Sequence, residues 1–518
     1  MPSQRRPGLA VLSMSLKRWL YLLHRWLGIA LCLVMALWFL SGMVMLYVGY
    51  PKLTAEEQAA GLPPLALEQC CVPLAEAVAA AGGPQAAPAP WRLSSVAGEP
   101  RYLFGDGRRA ALAVDARSGQ RIRAVSEAQA LAAASHFAGG AAAEYQGLVQ
   151  EDAWTHSRAL DAHRPLHRVA VADEARRWLY VSSVTGEVVR DATLTERRWG
   201  WLGAWLHWLY IFRGGALDAA WAQIVIWLSV AGGVLALSGL VVGLWRWRFS
   251  GRYKSGSRSP YRESWMRWHH LLGLVGGSLA LTWVLSGLFS MNPWKVFEAP
   301  GPAPDRRAYA GGALQAQAGP EASPVLAALA ARGEAAPRWL EWRRVDGQQF
   351  LLAQSPTGGR ALAADGTTRP PWSEAALVQA AQRLLPEALL ASREWLHEYD
   401  RYYYGREAHT MTGQRERPLP VLRLRFDDAQ AHWVTLDPAT GAILQLSNRH
   451  QRVERWLFAF LHSFDLPILL AARPAWDAWM LGFSATGLAL CLSGVVLGWR
   501  RLRGPRRPAG RAQPGRRL

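Results

Sequence analysis

The sequence predicts a membrane α-helical core of four transmembrane helices with an internal two-fold duplication, carrying two extracytoplasmic α+β domains. Three observations predict it. Four apolar runs are each long enough to cross a bilayer, basic residues cluster at one set of their ends, and whole blocks of sequence recur at a fixed displacement. A shift of 255 residues carries Trp201, His207, Trp221, Gly232, Ser238, Gly239 and Gly243 onto Trp456, His462, Trp476, Gly487, Ser493, Gly494 and Gly498. A shift of 245 carries His24, Gly28, Ser41 and Gly42 onto His269, Gly273, Ser286 and Gly287.

Composition agrees with the membrane class: 51% of the 518 residues are hydrophobic, only 19% are charged, and 27 are tryptophan. A formal charge of +19 raises nucleic acid as a partner. The charge sits at the ends of the apolar runs, however, where it serves topology and lipid headgroups, so the partner is the bilayer and nucleic acid is set aside. Of four cysteines, Cys32 and Cys491 lie inside apolar runs and Cys70 and Cys71 are adjacent outside them. That pattern holds no CxxC, no zinc spacing and no disulfide framework, and it assigns Cys70 and Cys71 no role.

Residues 1–49 carry Arg5, Arg6, Lys17, Arg18 and Arg25 and then the first span, 26–48. The apolar run exceeds a signal-peptide core and its exit, YVGYPKLTAEE, lacks an A-x-A cleavage site, so it reads as a retained helix. Residues 50–197 read as the first α+β domain. VPLAEAVAAAGG and SEAQALAAASHFAGG are helical, the second with Ser126 as cap, WRLSSVAGEPRYLFGDGRRAALAVDARSGQRIRAV reads as strands broken by glycine turns, and the segment from Trp178 makes a hairpin closed at Gly186. Residues 198–248 hold an interfacial histidine-bearing helix and the second span, 221–244.

A basic loop, 249–268, leads to the third span within 269–291, and residues 292–452 repeat the α+β plan, ending in a hairpin closed at Gly441. Residues 453–499 hold the second interfacial histidine-bearing helix and the fourth span, 478–497; a basic tail, 500–518, follows. The three basic clusters fall on one side of a four-span chain. The positive-inside rule makes that side cytoplasmic, with both termini on it and both α+β domains outside.

Histidine is cheap in a membrane interface when neutral, and one alone says little. Here four stand in repeat-related positions: His24 and His269 near the cytoplasmic ends of their helices, His207 and His462 beyond the outer ends of spans two and four. At about 100° per residue, His269, Gly273, Gly276, Ala280 and Gly287 share one narrow face, and a histidine followed by a bare face suits a flat macrocycle. Haem iron with two axial imidazoles from facing helices needs that geometry. A pseudo-twofold axis pairs His24 with His269 and His207 with His462. The sequence leaves open a second pairing, in which each copy supplies its own two ligands. His270, next to His269, is a lower-ranked candidate. The small residues Gly232, Ala236, Gly239 and Gly243, with Gly487, Cys491, Gly494 and Gly498, read as helix packing. No G-x-G-x-x-G, P-loop, G-x-S-x-G or HExxH motif occurs.

The blocks HRWLG from His24, EYDRYYYGRE from Glu398, PLPVLRLRFDD from Pro418, WVTLDPATGAI from Trp433, and LHSFDLP through LSGVVLGWRRLR from Leu461 carry a resemblance over nearly the whole chain. The chain resembles the PepSY-associated transmembrane helix family, which includes bacterial inner-membrane ferrisiderophore reductases and iron-regulated membrane proteins. The resemblance implies PepSY-like α+β domains in the periplasm, an inner-membrane location, and haem b, two groups, held by His24, His207, His269 and His462. It implies reduction of a ferric siderophore or other ferric chelate at the periplasmic face, with an electron donor of unspecified identity on the cytoplasmic or membrane side.

Tyr399, Arg401, Tyr402, Tyr403 and Tyr404 have no tyrosine-rich counterpart in the first copy. They read either as a pocket for an anionic or partly aromatic substrate or as an aromatic edge strand. His409, His163 and His167 read as ordinary loop or strand residues. The function expected is a ferric-chelate oxidoreductase that moves electrons across the membrane, although no single catalytic residue is assigned. Two rivals stand beside it: a membrane-anchored PepSY binding or regulatory protein without redox activity, and an iron-chelate or haem transporter.

Overall fold

The computed structural model describes residues 7–65, 70–407, 409–410 and 417–504, with side chains described from residue 16 on. Arg5, Arg6 and most of the basic tail lie outside these residues. Four helices are long and apolar enough to cross a membrane: Leu16–Met45, Asp218–Arg246, Ser264–Ser290 and Ala475–Leu502. Each runs past the apolar stretch read from sequence at its basic end. Long basic and tryptophan side chains at the ends keep their polar tips in the interface while the backbone continues its own hydrogen bonding.

Span one packs against spans two and four, and span three packs against the same two, so spans one and three stand across a diagonal. Leu31, Met35, Phe39, Leu235, Ala280, Val284 and Cys491 fill the space between them. Glycine permits the close approaches. A β-carbon at Gly487 would fall 2.3 Å from the Phe39 ring, and one at Gly277 would fall 2.8 Å from Leu240. Val275, Leu33 and Trp227 point outward, as expected of faces solvated by lipid.

The rest of the chain forms antiparallel sheets at one end of this bundle. Helix Glu127–Phe137, capped by a Ser126–Gln129 capping box, packs on a four-stranded sheet of Ala143–Val149, Leu166–Val171, Trp178–Ser182 and Val188–Ala192. In the second half, helix Glu374–Leu384 packs in the same way on Leu389–Leu396, Val421–Asp427, Trp433–Leu436 and Ile443–Ser447. Both hairpins predicted at Gly186 and Gly441 form, and each glycine has positive φ.

A third sheet contains the strands read from sequence between Trp91 and Val125, and its joining of the two halves is what the sequence reading lacked. Seven strands, four from the first half and three from the second, form one continuous layer joined where Trp91–Val96 pairs with Trp339–Val345. Leu93 stands opposite Leu340 and Trp91 opposite Trp342, and all four are buried in one core with Tyr102, Val325 and Leu326. Cys70 and Cys71 pack against that core.

Because residues from both halves close this core, it is the part of the sheets most exposed to a single truncation. Trp342 is 1% exposed and its indole N–H donates to Pro320 O at 2.9 Å. Trp342→Ala is expected to cost about 3–5 kcal/mol. Chemical denaturation of the detergent-solubilised protein, followed by far-ultraviolet circular dichroism, checks it.

Candidate functional site

Two short helical segments enter the bundle from the sheets, and both are built alike. Thr193 and Asn448 open capping boxes with Glu196 and Gln451. Each helix then widens into a π-helical turn, Trp201–Trp205 and Arg455–Phe460, immediately before its histidine. Leu209 and Phe464 take left-handed φ of 53° and 48° and end the segments. The tryptophan fourteen residues past each histidine locks the segment to the span that follows: Trp221 donates to Trp208 O at 2.7 Å and Trp476 to Ser463 O at 3.1 Å.

The structure brings the four repeat-related histidines together as two pairs. The ring centroids of His24 and His269 are 6.2 Å apart, and those of His207 and His462 are 6.1 Å apart. Along span one, Ser41, which contacts His207, lies 17 residues beyond His24. At about 1.5 Å per residue the two levels are about 25 Å apart. The pairing within each copy, which the sequence left open, is not the one the chain adopts.

Every one of these rings has its Nδ1 held by the serine of a Ser-Gly dipeptide on a neighbouring span. Nδ1 of His207, His269 and His462 lies 3.0, 2.9 and 3.0 Å from the hydroxyls of Ser41, Ser493 and Ser286. His24 Nδ1 lies 3.4 Å from Ser238 Oγ and 3.3 Å from Leu235 O. Each of these serines donates its own proton to a carbonyl three residues back: Trp38, Leu235, Trp283 or Leu490. The hydroxyl oxygen is then left to accept, so Nδ1 carries the ring proton and Nε2 presents a lone pair. Among the described residues, Nε2 of none of the four has a hydrogen-bond partner. Burial holds the His207 and His462 imidazoles well below their ordinary titration range, so both are neutral.

The glycine of each dipeptide borders the ring, and at Gly239 the approach requires a residue without a β-carbon. A β-carbon at Gly239 would fall 2.7 Å from His24 Cε1; at Gly42 and Gly287 it would lie 3.6 Å from Cε1 of His207 and His462, and at Gly494 3.5 Å from that of His269. Gly239 and Gly494, read from sequence as packing residues, therefore border the histidines. The bare face read after His269 does the reverse. A β-carbon at Gly276 would meet Thr486 at 2.9 Å and one at Gly273 would meet Leu490 at 3.8 Å, so these two positions receive span four.

His270 is not a ligand candidate in this geometry. Its Nδ1 bonds Ser259 Oγ at 2.8 Å and its Nε2 bonds Gly243 O at 2.9 Å, which uses both nitrogens. Among the described residues, no three His, Cys, Asp or Glu side chains converge on a point where they alone could hold a metal ion. Each level offers two imidazoles and requires further donors from elsewhere. A haem supplies four equatorial nitrogens and needs two axial ones. The 6.2 and 6.1 Å centroid spacings leave room between the rings of each pair for one iron that both imidazoles would hold.

The outer pair lines a cavity of about 880 Å³. Trp38 and Trp283 also line it. Of the five residues from Tyr399 to Tyr404 proposed as a substrate pocket, only Tyr399 lines this cavity. The segment is a turn, not an edge strand, and it buttresses the histidine helix. Tyr402 Oη accepts from Trp456 Nε1 at 3.0 Å, Arg401 O accepts from Arg455 Nε at 3.0 Å, and Tyr404 donates to the buried Asp465. Tyr403 is fully buried and donates to Pro418 O at 2.8 Å.

His163 and His167 are held inside the first α+β unit by Ser182, Tyr145 and Val125. His409 stands in the cavity wall, where its Nε2 bonds Glu57 at 2.9 Å and its Nδ1 lies 3.5 Å from Glu196. The two glutamates come from capping boxes in different helices, a convergence without local sequence signal.

Residues 21–363 match the family described as the PepSY-associated TM region. No curated protein matches the chain.

The His409 bridge carries a pH dependence of defined sign. Glu196 and then Glu57 raise His409 from 6.5 to about 10. Its contribution to stability is full below about pH 6.5 and is lost as pH rises toward 10. Thermal unfolding across that window is expected to show a falling melting temperature that is flatter in His409→Gln.

Proposed function

The chain belongs to the family of the PepSY-associated TM region, and on that premise we propose that it is a haem-containing inner-membrane reductase. In this reading electrons cross the membrane to a periplasmic acceptor, a ferric siderophore or similar chelate. The observation that carries the proposal is the pair of two-imidazole levels with matching 6.2 and 6.1 Å spacings, each ring fixed in one tautomer by a serine. Two haem b groups, held by His24 with His269 and by His207 with His462, would supply one-electron transfer at each level.

The residues of the chain do the rest. Serine-bound Nδ1 atoms orient the imidazoles and raise their basicity as ligands. With His24 and His269, or His207 and His462, both given to one haem, the group would supply electron transfer rather than dioxygen binding. The apolar bundle excludes water between the levels. At the outer level the large cavity admits an acceptor, and one electron per iron converts Fe(III) to Fe(II), which hard oxygen ligands hold more weakly. The electron comes from a donor on the cytoplasmic or membrane side. The loop and both termini are assigned to the cytoplasm and the sheets to the periplasm, because basic residues concentrate at the loop end.

Purified protein is expected to show a reduced-minus-oxidised spectrum of low-spin haem b with two haems per chain. His462→Ala and His24→Ala are each expected to lose one haem and to abolish transmembrane reduction of an external ferric chelate in proteoliposomes. Ser286→Ala is expected to keep the fold and to lower haem affinity about 10–100-fold. A wild-type preparation with no haem absorbance would sink the proposal.

A further inference from the structure

The wall of the outer cavity is strongly basic above the histidines. Lys52, Arg190, Arg406 and Arg473 line it, against one carboxylate, Glu407. Arg473 is neutralised by Asp477 and Glu407, and Arg406 shares the buried Asp465 at 3.6 Å. Lys52 and Arg190 are different. Each is only 7% exposed, and among the described residues neither forms an ion pair with a carboxylate. Lys52 donates to the carbonyl of Thr410 and Arg190 to that of Pro51, and Arg190 Nε has no acceptor.

Glu57 and Glu196 act on Lys52, and Asp191 and Glu196 on Arg190, through space and without an ion-pair contact. Glu57 and Glu196 are committed to their capping boxes and to His409, and Asp191 lies 3.9 Å from Arg177. Two buried cations left side by side repel one another, and burial followed by the nearby Arg190 lowers Lys52 to about 8. Proteins rarely keep buried charges without a partner, and a cation pair on a cavity wall is most simply completed by an anion in the cavity.

We infer that Lys52 and Arg190 form a carboxylate-binding clamp at the mouth of the outer cavity, made to hold an anionic group that enters above His207 and His462. The assignment rests on reading this cavity as the outer redox site. Two sources offer the same chemistry: a propionate of a haem held by the two histidines, or a carboxylate of an anionic ferric chelate. Guanidinium and ammonium together suit either, the first as a planar fork and the second as a point charge.

The test uses the full chain in lipid nanodiscs, wild type beside Lys52→Met and Arg190→Met, with ferric citrate as anionic probe and neutral iron(III) tris-maltolate as control. If the clamp holds a propionate, each variant shifts the midpoint potential of one haem in a redox titration and leaves both chelates' KM unchanged. If it holds the chelate, KM for ferric citrate rises about tenfold or more while that for the neutral complex and both potentials stay put. Variants that load two haems yet move none of these overturn the clamp and leave the reductase reading standing. Should the variants fail to fold, wild-type protein decides. Quenching of tryptophan fluorescence by ferric citrate, or the midpoint potential of one haem, should weaken or shift with rising salt, while tris-maltolate binding does not. Indifference of both to salt overturns the clamp. Wild-type protein without haem overturns the reductase reading alone, because citrate quenching is then still measurable.

Discussion

Four imidazoles buried in an apolar bundle each need a partner for Nδ1, and the way that need is met fixes how the spans are arranged. Span one gives Ser41 to the histidine ahead of span two and takes Ser238 from span two for its own His24. Spans three and four make the same exchange through Ser286 and Ser493. Each exchange ties two neighbours at both ends, about 25 Å apart. The histidine pairs then face each other between the two tied units. An unsatisfied imidazole N–H in this setting would be costly, so the serines constrain register as well as orientation.

That constraint explains which features were legible in the sequence. Spans, hairpins and capped helices came through because length, alternation and cap residues are local signals. Histidine positions came through because repetition singled out four of thirteen. The four Ser-Gly dipeptides were visible as part of the repeat, but a small polar residue beside glycine in a span is also what close helix packing selects. Only the distances separate the two roles: Gly487 meets a phenylalanine ring, Gly239 a histidine. The same ambiguity attends the face after His269, where Thr486 and Leu490 neighbour Gly276 and Gly273.

What sequence could not reach is long-range convergence. The pairing of Trp91–Val96 with Trp339–Val345 joins strands nearly 250 residues apart, and nothing in either strand marks its partner. Glu57, Glu196 and His409 meet from three segments for the same reason. The tyrosine cluster shows the converse. Its unusual composition reads either as a substrate pocket or as an aromatic edge strand, and Tyr402 and Tyr404 use their hydroxyls on Trp456 and Asp465, within the segment that holds His462. Tyr399 lines the cavity, as do Gly405 and Arg406, which follow directly after the cluster.

The asymmetry between the two levels is informative in the same physical terms. The large cavity touches His207 and His462 and reaches no part of His24 or His269. Its deep walls are apolar and aromatic, from Met35, Phe39, Trp283 and Met480, while its mouth is basic. A mostly apolar lining with a few convergent polar groups is the general make-up of a small-molecule site. The sheets make this possible. Arg190 is carried on the strand Val188–Ala192 and Lys52 on the chain leaving span one, so the α+β layer supplies charge that the bundle could not bury. Under the reductase reading the sheets therefore belong to the outer site, as the part that decides which anions approach it.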